Sequence, residues 1–329
     1  MSFTAEKIFS IKSENDFLQA AMAVFKYQAS HCLVYREFVE LAGIDYNSIK
    51  RIEDVPFLPI EFFKTHKVLS LEKKEEVIFL SSGTMGAQLS RHFIGDVNLY
   101  IRSFETCFES FYNRIENYCL LALLPSYLER EHSSLVFMVN HLIKKSGHPE
   151  SSFYLDNYEK LCSTLKNLIA KKKKIILLGV SYALLDFAEQ FPIALENTIV
   201  METGGMKGRR EEITREELHQ RLCKSFSVST IHSEYGMTEL LSQAYSDGNG
   251  IFKSPSWMKI ILRNPDDPFD VSKQYKTGII NVIDLANIYS CSFIATQDMG
   301  KMFDENKYEV LGRTDYSDLR GCNLMISDI

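Results

Sequence analysis

Two kinds of hydrophobic spacing alternate along the first three quarters of the chain. After Ser13-Glu14-Asn15-Asp16, which has the form of a capping box, apolar residues recur from Phe17 to Phe25 at helical spacing. Pro56 and Pro59 end a second helical stretch. Short continuous apolar runs then predict strands, separated by amphipathic helices. The predicted strands cover residues 77–80, 120–124, 175–178 and 198–201, and the predicted helices 97–115, 133–144 and 182–190.

Continuous apolar runs of this kind are typical of buried parallel strands, so the pattern favours an α/β sheet. A further capped helix is predicted to start at Thr214 and to run toward Phe226. Past about residue 256 the pattern changes to a smaller, β-rich region. Its predicted strands cover residues 258–262, 278–283 and 308–311.

Composition excludes several functional classes. The 329 residues carry a net charge of −6, and no stretch gathers Lys and Arg around aromatic residues, so nucleic acid is not an expected partner. No apolar run approaches the ~20 residues of a membrane span, and the first residues do not resemble a signal peptide. Seven scattered cysteines without a Cys-x-x-Cys pair predict a cytoplasmic protein and argue against a zinc site or a disulfide framework.

A loop rich in serine and glycine follows the first predicted strand, with the sequence Ser81-Ser82-Gly83-Thr84-Met85-Gly86. Glycines let the backbone approach an anion, and N–H groups and hydroxyls can donate to phosphate oxygens. The loop lacks the Gly-Lys-Ser/Thr ending of a Walker A motif. Taken alone, it fits a phosphate loop and an ordinary polar turn equally well.

A second polar motif, Ser233-Glu234-Tyr235-Gly236-Met237-Thr238-Glu239, follows a short apolar stretch. It combines an aromatic ring that could cover a base, a glycine, a hydroxyl that could donate to phosphate, and a carboxylate that could bind Mg²⁺. Taken alone, the motif is better explained by a loop with a half-buried tyrosine and a solvated glutamate.

Taken in order, these motifs resemble those of the adenylate-forming superfamily, which includes acyl-CoA synthetases, adenylation domains and luciferase. The resemblance spans about residues 77 to 322, and it implies an α/β fold of the large N-terminal domain of that superfamily, with sheets flanked by helices and a smaller β-rich part. The matching segments are Ser81–Gly86, Thr203-Gly204-Gly205, Tyr235–Glu239, Asp298 with Gly300, and Gly312-Arg313-Thr314-Asp315.

The resemblance implies that ATP and Mg²⁺ are the cofactors. Thr238 would meet the α-phosphate, and Glu239 would hold the metal ion. Tyr235 would stack on adenine beside Gly236, Asp298 would bind the ribose hydroxyls, and Arg313 would lie at a hinge. The loop residues expected on the β- and γ-phosphates are Ser81, Ser82, Gly83, Thr84 and Gly86, and those flanking adenine are Gly204 and Gly205.

The chain departs from the superfamily pattern at two places. The loop continues as Ala87-Gln88-Leu89-Ser90-Arg91-His92, where the family has Pro-Lys. Arg91 or His92 could supply the cation, with Arg91 the predicted catalytic residue, although a structural salt bridge fits as well. The small C-terminal domain, whose lysine bridges carboxylate and phosphate, is expected to be absent. The predicted domains are therefore 1–311, β-rich from about 256, and a hinge-like tail at 312–329.

These departures make the chain similar to the acyl-protein synthetases of bacterial fatty acid reductase complexes, which also end in a short tail with a cysteine. In that family the tail cysteine accepts the acyl group from the adenylate, and Cys322 occupies the matching place here. An inert cysteine beside Leu324-Met325-Ile326 is the alternative.

The predicted function is thus activation of a fatty or related carboxylic acid as acyl-AMP, followed by transfer to a protein thiol. The expected partner is a reductase, an acyltransferase or a carrier protein. Two alternatives remain open. One is an acyl-CoA or acyl-carrier ligase similar to phenylacetate-CoA ligase. The other is a non-catalytic subunit that binds nucleotide within an acyl-processing complex.

Overall fold

A computed structural model describes residues 5–82, 88–125, 132–205 and 210–313. These ranges contain eight α-helices and fifteen strands. The helices are α1 Glu14–His31, α2 Leu33–Leu41, α3 Phe62–Thr65, α4 Val97–Tyr112, α5 Ser134–Ser146, α6 Tyr158–Ala170, α7 Ser181–Gln190 and α8 Arg215–Phe226. The strands are β1 Leu58–Pro59, β2 Val77–Leu80, β3 Arg91–Ile94, β4 Cys119–Leu123, β5 Ser152–Phe153, β6 Ile175–Val180, β7 Thr198–Thr203, β8 His232–Tyr235, β9 Ala244–Ser246, β10 Ile251–Lys253, β11 Met258–Arg263, β12 Val271–Ser272, β13 Thr277–Asp284, β14 Phe293–Asp304 and β15 Lys307–Arg313.

The chain divides into two compact units. The first unit contains the described residues of Met1–Tyr100, Glu239–Ser242 and Lys253–Ile329, and the second unit contains those of Ile101–Thr238 and Gln243–Phe252. The chain passes between the units inside the Tyr235–Glu239 motif, because Thr238 belongs to the second unit and Glu239 to the first.

A parallel sheet forms the centre of the second unit. Its strands run in the order β5-β4-β6-β7-β8, all parallel, and β9 adds an antiparallel strand beside β8. Every residue of β4 and β6 is buried, which explains their continuous apolar sequences. The helices around the sheet pack through rings such as those of Phe187 and Phe226, whose centroids lie 5.9 Å apart.

The first unit is built on an antiparallel sheet of order β12-β11-β13-β14-β15, with β1 parallel to β14. Its core includes the rings of Phe25 and Tyr35, which pack against Phe293 of β14 with centroids 5.9 and 6.3 Å apart. Beside this cluster the buried Gln28 amide donates to the carbonyls of Asn287 and Ile288 and accepts from the backbone N–H of Ser292. One side chain of α1 therefore satisfies three backbone groups in the connection between β13 and β14.

These observations confirm the predicted α/β fold class. Ser13 caps α1 in a complete capping box, and Thr214 caps α8. One expectation is wrong: β2 does not join a parallel sheet but pairs antiparallel with β3 in a separate two-stranded sheet. Only one of the four residues of β2 is fully buried. The two-stranded sheet is therefore less enclosed than the parallel sheet that contains β4 and β6. The sequence patterns also missed α6 and the twelve-residue strand β14.

The predicted domain boundary between residues 311 and 312 stays a prediction, because the tail from residue 314 lies outside the described residues. Within the described ranges, no helix has both the length and the apolar composition that crossing a membrane requires.

Replacing Gln28 with leucine is expected to destabilise the protein, because the Ser292 N–H and the Ile288 carbonyl would lose their buried partner. Each unsatisfied group costs roughly 1–3 kcal/mol, so the free energy of unfolding should fall by about 2 kcal/mol or more. Urea denaturation followed by circular dichroism measures this change. Gln220→Leu, at an exposed position of α8, is the control and should shift stability by less than about 0.5 kcal/mol. Equal stability of the two variants would contradict the role given to Gln28.

Candidate functional site

The serine- and glycine-rich loop is the connection of the β2–β3 hairpin. The Ser81 N–H donates to the Ser90 carbonyl at 3.1 Å, and the Ser90 N–H donates to the Ser81 hydroxyl at 2.9 Å. These two bonds close the neck of the loop at the point where Leu80 pairs with Arg91. Ser82 is exposed just beyond the neck. Gly83, Thr84 and Gly86 lie outside the described residues, so their phosphate contacts stay predictions.

Glu239 is buried in the first unit, with only 5% of its surface exposed. Burial raises the pKa of its carboxyl, and a hydrogen bond from the Ser90 side chain and the charges of Arg313 and Lys64 act in the opposite direction. Its backbone carbonyl accepts from the Asn287 amide at 2.7 Å. Ser90, at the neck of the loop, therefore also acts on the charge of the predicted metal ligand.

The backbone just after Glu239 is fixed by Asp284, which is completely buried at the end of β13. Its carboxylate accepts from the N–H groups of Leu241 and Ser242, both at 2.9 Å, and from the Ser242 hydroxyl at 2.6 Å. Burial raises the pKa of Asp284 to about 6, against the effect of these donors. Sequence analysis did not single out Asp284, since its partners lie more than forty residues away along the chain.

Asp298 and Arg313 are neighbours in the first unit, because they are register partners on β14 and β15. Arg313 Nε lies 3.6 Å from Asp298 Oδ1, with the arginine side chain 76% exposed and the aspartate buried. Asp298 lies within a strand next to a register irregularity at Met299 and Gly300, and not in a turn. The first unit thus brings together Ser81, Ser90, Glu239, Asp298 and Arg313.

The two candidate cations after the loop have different surroundings. His92 is fully buried, with Nε2 2.9 Å from the Ser290 hydroxyl and its ring edge-on to Phe63. Arg91 is exposed, and its guanidinium lies 5.7 Å from the centre of the Phe93 ring. His92 is therefore part of the core, and of the two only Arg91 is accessible to a ligand.

In the second unit the glycine pair and the tyrosine motif lie at the carboxyl ends of neighbouring parallel strands. Thr203, the last residue of β7, is in register with Glu234 of β8, and its hydroxyl donates to the Glu234 carboxylate. Gly204 follows with a positive φ of 69°, a conformation that favours glycine. The carboxyl edge of a parallel sheet is where ligands bind in α/β folds. The structure therefore places Gly204 and Gly205 beside Tyr235 and Gly236.

The Glu234 side chain leaves little room for a side chain at Gly236. A Cβ atom at residue 236 would lie 2.5 Å from Glu234 Oε1, which is far inside van der Waals contact. Tyr235 is half-buried, and its ring meets Phe252 at an interplanar angle of 60°. Stacking of Tyr235 on a base and contact of Thr238, also half-buried, with a phosphate stay predictions.

A buried carboxylate, Glu202, lies under the glycine pair and was missed by sequence analysis. Ser181 donates to Glu202 Oε2 at 3.1 Å and also to the Gly204 carbonyl at 2.8 Å. Arg215 Nε and His219 Nε2 lie 3.6 and 3.7 Å from Oε1. The sequence did carry a signal for the Glu202 cluster. Glu202 lies at the end of an apolar strand, and Arg215 and His219 lie four residues apart on one helix.

Comparison with known proteins identifies the family. The family model described as "Acyl-protein synthetase, LuxE" matches residues 131–329. The chain belongs to the LuxE acyl-protein synthetase family. A search of curated proteins found no match to this LuxE-family chain.

Solved structures show the same fold. A 2-hydroxyisobutyryl-CoA ligase in complex with 2-HIB-AMP and CoA has 13% identity and a TM-score of 0.65, covering 92% of this chain and 70% of that one. The same ligase with R3-HIB-AMP gives the same identity and TM-score over 94% and 70%. Apo MatB from Rhodopseudomonas palustris has 14% identity and a TM-score of 0.54 over 83% and 51%. Family and fold together support acyl-adenylate formation, by an AMP-forming ligase, in general terms.

The residues present in this LuxE-family chain fit a magnesium–nucleotide complex. Among the described residues, no three His, Cys, Asp or Glu side chains are grouped as a metal cage would require. Mg²⁺ bound with a nucleotide usually takes one or two carboxylates together with phosphate oxygens and water. Glu239 is the residue that would supply a single carboxylate of this kind.

The raised pKa of Asp284 predicts a specific dependence of stability on pH. The folded pKa of about 6 lies above the ordinary aspartate pKa of 3.8, so the bound proton contributes stability below about pH 4. That contribution is lost as the pH rises through about 6. Asp284→Asn cannot titrate at this position and serves as the reference. The unfolding free energy of the wild type minus that of Asp284→Asn should therefore fall by about 1–3 kcal/mol between pH 4 and pH 7. Urea denaturation at a series of pH values measures the difference, and a difference that does not change with pH would contradict it.

Proposed function

We propose that this protein converts ATP and a fatty or related carboxylic acid to acyl-AMP and pyrophosphate, and then passes the acyl group to Cys322 as a thioester. The observation that supports the first step best is the arrangement of the first unit. There, Ser90 closes the neck of the loop through its backbone N–H, and its side chain is one of the influences that lower the pKa of the buried Glu239 carboxylate against the effect of burial. Asp298 and Arg313, predicted at the ribose and the hinge, pair with each other in the same unit.

In the first step, a carboxylate oxygen of the acid attacks the α-phosphorus, and the bond to the pyrophosphate oxygen breaks. The reaction brings several anions together, so catalysis depends on donors, cations and positioning. The loop would hold the β- and γ-phosphates, Thr238 the α-phosphate, and Arg91 would offer a cation at the loop. Mg²⁺ held by Glu239 would neutralise part of the phosphate charge.

In the second step, the Cys322 thiolate attacks the acyl carbonyl carbon, the thioester bond forms, and AMP leaves with the electrons of the acyl–oxygen bond. Cys322 lies outside the described residues, so its role rests on the family's tail cysteine. The other cysteines that the structure describes are buried or half-buried. The acyl group would then move to a reductase, an acyltransferase or a carrier protein, in a protein that we place in the cytoplasm.

A ligase that delivers the acyl group to coenzyme A is the second candidate. The observation that favours it is the likeness of the fold to 2-hydroxyisobutyryl-CoA ligase in complex with 2-HIB-AMP and CoA. Formation of acyl-CoA by the purified protein, without acylation of Cys322, would select this candidate. ATP binding without any pyrophosphate exchange would instead select a non-catalytic subunit.

Glu239→Gln is expected to lower fatty-acid-dependent exchange of labelled pyrophosphate into ATP by about 100-fold, because one neutral amide replaces the metal-binding carboxylate. The exchange is measured with a panel of fatty acids at several magnesium concentrations. Glu305→Gln, at an exposed position, is the matched control and should exchange at the wild-type rate. Normal exchange by the Glu239 variant would remove Glu239 from the proposed site.

Cys322→Ser is expected to retain pyrophosphate exchange but to lose the stable acyl adduct, because the hydroxyl is a poor replacement for a thiolate. Mass spectrometry of the intact protein after incubation with ATP, Mg²⁺ and acid measures the adduct. Cys223→Ser is the control, since this half-buried thiol has a pKa raised by burial. An adduct that persists on Cys322→Ser would rule out the proposed acceptor.

A further inference from the structure

Strand β14 of the first unit changes its neighbours in the middle of its length. It pairs with β1 as far as Ala295, whereas its pairing with β15 begins at Asp298. In the same stretch, the register with β13 jumps from the pair Asn281–Ala295 to the pair Ile279–Met299. One residue of β13 therefore lies opposite three residues of β14, which form a β-bulge. A bulge bends its strand and changes the direction of the side chains beside it, so the direction of the Asp298 side chain depends on what fixes the bulge.

The side chain of Thr296 fixes the bulge from within. Its hydroxyl donates to the Ile280 carbonyl at 2.7 Å and accepts from the backbone N–H of Asp298 at 3.1 Å. Thr296 is itself buried. Gln297, the middle residue of the bulge, donates through its side-chain amide to the Glu61 carboxylate. The Thr296 hydroxyl thus holds the backbone from which the Asp298 side chain extends.

A buried arginine holds the same bulge from two strands away. Arg263 is the last residue of β11, and only 8% of its surface is exposed. Its Nη2 donates to the Thr296 carbonyl at 3.0 Å, and its Nε donates to Asn281 Oδ1, on β13 between them, at 3.2 Å. The guanidinium carries its donors in a rigid planar fork, so the two bonds together fix the position of the Thr296 carbonyl. Arg263 therefore determines where the bulge begins.

This arrangement is not the one that would stabilise the fold most. Removing a guanidinium from water is costly, and apolar side chains of similar volume often stabilise a fold as well or better. The fully buried Asn281 also leaves its Nδ2 without a hydrogen-bond partner among the described residues. Such departures from the most stable core are expected where a functional group must be positioned. The functional group beside this network is the carboxylate of Asp298, the predicted ribose ligand.

We propose that Arg263 positions Asp298 for the ribose hydroxyls of ATP by holding the Thr296 carbonyl, and that it thereby sets the preference of the protein for ribonucleotides. This inference rests on the proposed function and adds a positioning residue to its site. A binding group must be held within about 0.5 Å of its productive place by the residues around it. Loss of Arg263 therefore weakens the contact between Asp298 and the ribose, and leaves the other contacts of the nucleotide unchanged.

Calorimetric titration of the full-length protein with two nucleotides, each with Mg²⁺, tests the proposal. ATP carries both ribose hydroxyls, and 2′,3′-dideoxyATP carries neither. The wild type should bind ATP roughly 10- to 100-fold more tightly than the dideoxy nucleotide, because a hydrogen bond from a hydroxyl to a carboxylate is charge-assisted. Arg263→Met should weaken ATP binding by about tenfold and binding of the dideoxy nucleotide by less than about twofold.

Further variants separate positioning from a general loss of structure. Asp298→Asn should show the same pattern as Arg263→Met, and the double variant should lose no more than Asp298→Asn alone, because both residues act on one contact. Arg263→Lys keeps the charge but not the planar fork, so its ATP affinity should lie between those of the wild type and Arg263→Met. Arg51→Met, at an exposed position of the same unit, is the matched control and should bind both nucleotides as the wild type does.

A second substitution covers the case in which Arg263→Met does not fold. Thr296→Val keeps Arg263 and the volume of the side chain, but it removes the hydroxyl that accepts from the Asp298 N–H. It should weaken ATP binding by about tenfold and binding of the dideoxy nucleotide by less than about twofold. Equal weakening of both nucleotides, or none, would overturn the role given to the bulge and with it the role given to Arg263.

The outcomes separate this inference from the proposed function. Lack of ATP binding to the wild type would overturn both. Equal wild-type affinities for ATP and the dideoxy nucleotide would leave acyl-adenylate formation untouched and would overturn this inference alone, because there would be no ribose contact for Arg263 to control. Equal weakening of both nucleotides in folded Arg263→Met would show that the arginine serves only the fold, and unchanged affinities would show that it does not act on the site. Either result would overturn the inference.

Discussion

The need to compensate the charge of the buried Glu239 carboxylate is the constraint on which the site of the first unit depends. A carboxylate removed from water stays charged only where donors and cations compensate for the lost solvation. Ser90 meets this requirement for Glu239 while its own backbone closes the neck of the loop with Ser81. Ser90 therefore acts both on the neck of the predicted phosphate loop and on the predicted metal ligand.

Other buried carboxylates near the candidate site also need donors that compensate for their lost solvation. Asp284 is compensated by backbone donors and the Ser242 hydroxyl, and this arrangement fixes the chain immediately after Glu239. In the second unit, Glu202 and Glu234 accept from Ser181 and Thr203. Each of these carboxylates lies next to a segment expected to touch nucleotide, so the buried polar network determines where those segments run.

Local features of the fold could be predicted from sequence because their causes are local. Ser13 and Thr214 cap helices whose first turns lie within four residues, and the fully buried strands β4 and β6 have continuous apolar sequences. Strand pairing depends on distant partners, so the antiparallel pairing of β2 with β3 and the length of β14 were not evident. Family motifs pointed to Glu239 and Gly236, whose roles stay predictions. Asp284 belongs to no motif, and only its three-dimensional neighbours reveal it.

Transfer of oxygen from the acid to AMP tests the central claim, acyl-adenylate formation, most directly. The fatty acid is labelled with ¹⁸O in both carboxylate oxygens and incubated with the protein, ATP and Mg²⁺, and the nucleotide products are analysed by mass spectrometry. Attack of the carboxylate on the α-phosphorus predicts AMP that carries one ¹⁸O atom. Label in inorganic phosphate together with ADP, or AMP without label, would contradict the claim.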